Sequence, residues 1–134
     1  MVLFPNTDIT IYNKYFDKSS GLDKYQRTVI EGVNWSSKTK LVIGKTVGDK
    51  GATVTDVTLI IIDKLDNYIP PKQFKSLPDA DRINYFTFGL GDKIVKGNIN
   101  FEVTKIADLD KNYDDVVTVT AAKLLSRHWE VEAE

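Results

Sequence analysis

The chain has no cysteine and only one histidine, His128. Without thiols there is no disulfide framework, no thiolate nucleophile and no cysteine-based zinc site. One imidazole leaves little for a histidine-rich metal centre, so no cofactor is expected. Long apolar runs are missing as well: none approaches the roughly 20 residues of a membrane-spanning helix, and no membrane partner is expected. The opening "MVLFPNTDIT" lacks a basic segment followed by an apolar stretch, so it does not read as a secretory leader and the chain is expected to work inside the cell that makes it. Nor is there an excess of positive charge. Eighteen Lys and Arg stand against nineteen Asp and Glu, a formal charge of -1, which argues against a strong overall attraction to nucleic acid.

What is present suits one soluble domain covering 1–134, with 42% hydrophobic and 28% charged residues and no repeat or low-complexity linker. In "DITIYNKYF" the period of two puts Ile9 and Ile11 on one side of a strand and Thr10 and Tyr12 on the other. "DKSSGLD" breaks it with turn-forming residues. "YQRTVIEGVNW" resumes as a strand in which Gly32 permits a bulge or a bend, and "KLVIG" is able to continue the same sheet. "TVTDVTLIIID" predicts a long strand whose end, Leu59 to Ile62, is buried on both faces.

Pro70 and Pro71 rule out a central strand, and Pro71 is placed to start one short helix in "PKQFKSL". "NYFTFGLGDKIVKGNINFEV" predicts a hairpin around Gly89, Gly91 and Asp92. "ADLDKNY" predicts a second short helix capped by an Asp, and "VVTVTAAKLL" and "HWEVEA" predict closing strands. The expected fold is mainly β: a small barrel or sandwich of about six to seven strands with one or two short helical insertions.

Four patterns suggest chemistry. "LVIGKTVGDKG" resembles a phosphate loop at Gly44-Lys45-Thr46, with Asp63 ending a later apolar strand. The motif needs a glycine five residues before Gly44 and a helix after it; Thr39 occupies the first position and a β-branched, glycine-broken stretch the second. "DLDKNYDDVVTV" from Asp108 resembles a calcium loop, but Tyr113 stands where the sharp turn needs Gly and Val119 where a bidentate Glu is needed. His128 invites a hydrolase reading with Ser126 or a distant acid, yet no nucleophile elbow accompanies it. "KYQR" and "RHW" place aromatics among basic residues, as in an OB-like nucleic-acid-binding module, although acidic residues are interleaved nearly everywhere.

Taken in order, "DITIYNKYFDKSSGLDKYQRTVIEGVNW", "YIPPKQF", "FTFGLGDKIVKG", "ADLDKNYDDVVTVT" and "HWEVEA" resemble a family of small minor structural proteins of tailed phages and prophages of Gram-positive bacteria. The resemblance covers most of the chain. Its most specific pieces are "GDKIVKG", with Gly91, Asp92 and Gly97, and "HWEV", with His128 and Trp129. The chain departs from the family pattern at "TAAKLLSRHWEV", where apolar Leu124 and Leu125 replace a polar, Gly-containing turn, a departure that bears on the last hairpin.

The resemblance implies a non-enzymatic head-closure, or stopper-like, protein in the virion neck, made in the host cytoplasm. Such a protein forms a ring of its own copies between the connector or adaptor protein of the head and a tail-terminator or tail-completion protein, and retains packaged double-stranded DNA. Gly44, Lys45, Thr46, Gly48, Asp49, Lys50 and Gly51 are then the candidate lumen and DNA-facing loop, against the plainer alternative of an ordinary hairpin tip. Tyr68, Pro70, Pro71 and Phe74 form the candidate docking segment, against the alternative of a plug for one end of the barrel.

Overall fold

A computed structural model describes residues 4–43 and 52–134. Among the described residues, six antiparallel strands close into a barrel in the order β1-β2-β3-β6-β5-β4, with three short helices outside the sheet. The strands are β1 (Thr7–Asp17), β2 (Leu22–Ile43), β3 (Ala52–Asp63), β4 (Lys93–Lys96), β5 (Val116–Leu124) and β6 (His128–Ala133). The helices are α1 (Pro71–Ser76), α2 (Asp79–Arg82) and α3 (Ala107–Asn112).

The interior is filled by inward-facing strand residues, among them Ile9, Ile11, Val33, Ile60, Ile62, Ile94, Val119 and Val131. β1 keeps the predicted alternation but buries both faces, since Thr10 and Tyr12 are as enclosed as Ile9 and Ile11. Their cover is the segment from Gly97 to Tyr113, which lies across the outside of β1 and carries Ile99, Phe101, Val103, Ile106 and Leu109 onto Tyr12 and Val95. Polar groups on that face are paired: the Tyr12 hydroxyl donates to the Phe101 carbonyl at 2.7 Å, and Thr10 Oγ1 donates to the Gly97 carbonyl at 2.8 Å. Burial pushes the Tyr12 phenol up to about 12.

The stretches "YQRTVIEGVNW" and "KLVIG" are parts of one 22-residue strand, β2. The bulge expected at Gly32 is present: the register with β1 shifts between Thr7↔Val33 and Ile9↔Ile30, Gly32 has φ 69°, and its N–H donates to Asp8 Oδ1 at 3.0 Å. A left-handed φ suits glycine because it carries no Cβ to clash.

Several expectations are corrected. Leu59 to Ile62 are not buried on both faces; Ile60 and Ile62 point inward while Leu59 and Ile61 stay partly exposed on the outer wall. "NYFTFGLGDKIVKGNINFEV" is not a two-stranded hairpin. β4 pairs instead with β1 and β5, and the run before it is held as coil by Asn13, whose Nδ2 donates to the Thr87 carbonyl at 2.7 Å. Ile106 precedes α3 and offers no side-chain cap, so no Asp caps it; buried Leu109 holds it to the barrel.

Pro71 does start α1, with Pro70 in the extended conformation before it. α2 was not expected, which makes three helices rather than one or two; Arg82 ties its end by donating to the Leu77 carbonyl at 3.0 Å and by an ion pair with Asp79. The last hairpin forms despite Leu124 and Leu125, closed by the Leu125 N–H on the His128 carbonyl at 2.9 Å.

Candidate functional site

The feature that stands away from the barrel is a ribbon made by β2 and β3. β2 pairs with β1 only as far as Val33, and β3 pairs with β6 only from Thr58 onward. Between Lys38↔Val57 and Ile43↔Ala52 the two strands pair with each other, and among the described residues no third strand joins them. Val57 is still buried and Lys38 ion-pairs with Glu132 of β6, so the five pairs beyond them, from Thr39↔Asp56, make an arm about 17 Å long. The sequence grows such an arm because Thr, Val and Ile dominate "KLVI" and "ATVTDV", which favours extended backbone. The candidate loop Gly44 to Gly51, with Lys45, Thr46, Gly48, Asp49 and Lys50, lies outside the described residues.

The candidate docking segment has both buried and exposed residues. Phe74 is fully buried and Ile69 nearly so, while Tyr68 is half-buried in an aromatic cluster with Phe86, Phe88 and Trp129. The Tyr68 ring lies 4.4 Å from Trp129 and 5.4 Å from Phe88, centroid to centroid, and Phe88 lies 5.2 Å from Trp129. Burial raises the Tyr68 phenol above its usual range. Pro70 remains exposed and Pro71 partly so. On one side of the segment a groove of about 480 Å³ opens between Lys64, Leu65, Tyr68, Pro70, Leu124 and Trp129. A second groove, of about 560 Å³, runs between Phe16 of β1, Lys18 and Ser19 of the β1–β2 turn, and Lys75 to Asp79.

The motif residues prove to be architectural. Asp92 is buried and accepts from three donors: Asn13 Nδ2 at 2.8 Å, the Gly89 N–H at 3.1 Å and the Lys14 N–H at 3.2 Å. It therefore latches the coil containing Phe86 and Phe88 onto β1. Burial outweighs these hydrogen bonds and raises its carboxyl above the ordinary range. Gly91 and Gly97 have φ of 88° and 101°, and the Gly97 N–H donates to the Asp8 carbonyl at 2.7 Å, ending β4 in a turn. Asp17 contrasts with Asp92: ion-paired to Lys24 at 2.9 Å and accepting from Ser19 and Ser20, its carboxyl is held well below the usual range, so the stability it adds is lost as the pH falls.

His128 is partly exposed on β6, its Nε2 3.6 Å from Glu130 Oε1, with Asp63 opposite it in register. Trp129, next to it, points the other way into the aromatic cluster. Tyr25 likewise turns under the Gly97 to Tyr113 cover, and Arg27 donates to the Ile99 carbonyl at 2.8 Å. The "KYQR" and "RHW" aromatics thus pack into the protein rather than forming an open stacking platform. The stretch that resembled a calcium loop is α3 and the start of β5, with Tyr113 against Phe101 and Val119 in the core. The two strands and a hairpin tip between them are legible in the sequence; that the pair continues past β1 and β6 is not, because it depends on where those strands stop.

No curated protein and no solved structure matches the chain. Over residues 4–134 the chain matches a family of unknown function, DUF6751, and it belongs to that family.

Proposed function

We propose that the chain is a head-closure, stopper-like component of a tailed-phage neck, forming a ring of its own copies between the connector or adaptor of the head and the tail-completion or tail-terminator protein. The observation that carries this reading is the β2–β3 ribbon on a closed barrel. A ring subunit needs a rigid body for lateral contacts and an element that reaches away from it, and this chain has both. The resemblance of its ordered segments to phage minor structural proteins supplies the context. In this role the barrel docks against its neighbours, and the ribbon carries Lys45 and Lys50 toward the lumen, where they meet phosphates of the packaged genome.

The reading assigns the ribbon to function and the aromatic cluster to stability, so the two separate by mutation. Deleting Gly48 to Gly51 is expected to leave far-UV circular dichroism and the thermal midpoint near those of the parent. Particles assembled with that variant are expected to lose packaged DNA or to lack tails. DNA-filled, tailed particles at parental titre would remove the ribbon from the neck role. Fluorescence anisotropy with short single-stranded DNA supplies a second check: nanomolar, steeply salt-dependent binding would favour an OB-like module instead.

A further inference from the structure

Barrel closure is uneven along β5. Val116 to Thr118 pair with β4, and Val119 exchanges backbone hydrogen bonds with Gly91 and Asp92. From Ala121 to Leu124, β5 pairs with β6 alone, and among the described residues its other edge meets no strand. The register shifts between Val119 and Ala121, and the Leu125 N–H bonds the His128 carbonyl. The alternation of an antiparallel ladder then turns the peptide groups of Ala122 and Leu124 toward the open edge. Thr120, Ala121, Lys123 and Leu124 are exposed. The apolar groove between Leu124, Trp129, Tyr68 and Leu65 adjoins that edge. An open edge beside an apolar groove is a template for an added strand.

The same chain carries a strand of matching length and opposite charge. Ala52 to Val57 of β3 pair with β2 on one side and, beyond Thr58↔Ala133, have no β6 residue on the other. Asp56 on this edge is exposed and complements Lys123 on β5. A two-stranded ribbon alone is marginal in water, so it gains from a third strand. The ribbon leaves the barrel beyond Ala133, whereas the open edge lies along Trp129 to Glu132. One copy therefore presents the two halves at opposite ends, which makes their joining head to tail and able to close a ring.

We propose that the Thr120–Leu124 edge of one copy receives the Ala52–Val57 edge of a second copy, with Asp56 meeting Lys123. Taking the partner to be a second copy rests on the ring reading above.

Because the chain has no cysteine, introduced thiols are the only ones present. Full-length Asp56→Cys and Lys123→Cys chains, mixed at high concentration and oxidised, are expected to give the mixed disulfide in excess over either homodimer, and the double variant a ladder of oligomers. Ala122→Pro removes an outward N–H at an edge position where proline is tolerated, and added to the double variant it is expected to abolish the ladder while circular dichroism is retained. Independently, Lys123→Glu is expected to weaken self-association in sedimentation about two- to fivefold, with Asp56→Lys restoring it.

Cross-linking no greater than with Lys18→Cys in place of Lys123→Cys, symmetric Asp56→Cys homodimers as the main product, or a ladder that survives Ala122→Pro would each overturn the pairing. A ladder combined with normal particles from Ala122→Pro would support the pairing and count against the neck role. No ladder combined with lost particles would do the reverse.

Discussion

Phe88→Ala is expected to lower the stability of the barrel by about 3–5 kcal/mol, the usual cost of truncating a buried aromatic ring without collapse of the space it filled. Phe88 is 3% exposed and touches three other rings, those of Tyr68, Phe86 and Trp129. Each aromatic pair adds about 0.5–1.5 kcal/mol beyond area burial, and the neighbours belong to three different parts of the chain, so the space cannot close by a local shift. Against a total of about 5–15 kcal/mol for a domain, this is a loss that brings the midpoint of urea unfolding down sharply. The same variant should change the near-ultraviolet circular dichroism of Trp129. A loss below about 1 kcal/mol would mean that the aromatic cluster is not a main support of the core.

Asp92→Ala is expected to cost about 2–6 kcal/mol, because it orphans the Gly89 and Lys14 N–H groups together, each at about 1–3 kcal/mol. Asn13 keeps its bond to the Thr87 carbonyl, so the coil is weakened but not freed. Asp92→Asn sharpens the test through pH. The folded carboxyl is raised above its unfolded value of 3.8, so its ionisation is penalised in the fold. The contribution of Asp92 is therefore greatest below that unfolded value and declines as the pH rises through the folded one. The stability gap between parent and Asp92→Asn is expected to be widest in acid and to narrow toward neutral pH, read from urea midpoints across that range. A gap that widens with rising pH would contradict the burial-dominated latch. Hydrogen exchange should rise from Thr87 to Lys93 in both variants.

The β character of the chain and the start of α1 were legible because they are written locally, in period-two alternation and in Pro71. The bulge at Gly32 was legible for the same reason. What was not legible depends on residues far apart in sequence. Thr10 and Tyr12 look like solvent-facing strand residues until Phe101, Ile99 and Leu109 cover them, some 90 positions later. Phe86 and Phe88 alternate like strand residues, yet Asn13 and Asp92 hold them as coil. Asp92, Gly91 and Gly97 were picked out as motif residues, but their work is to latch and turn the backbone, which a motif alone does not reveal. Tyr68 and Phe74 lie in a Pro-containing segment that reads as exposed, yet Phe74 is buried and Tyr68 packs among Phe86, Phe88 and Trp129, contacts that the sequence does not reveal. The ribbon is a property of register: its free edges exist because β1 and β6 stop while β2 and β3 continue.

If the proposed neck role holds, the gene belongs to a tailed phage or prophage, and the most direct measurement is electron microscopy of that phage's particles made with and without the gene, together with complementation by the parent chain. The account predicts that loss of the gene gives separate tails and heads emptied of DNA, that the parent chain restores DNA-filled tailed particles, and that labelled chain lies at the head–tail junction. Normal particles without the gene, or label elsewhere on the virion, would contradict it.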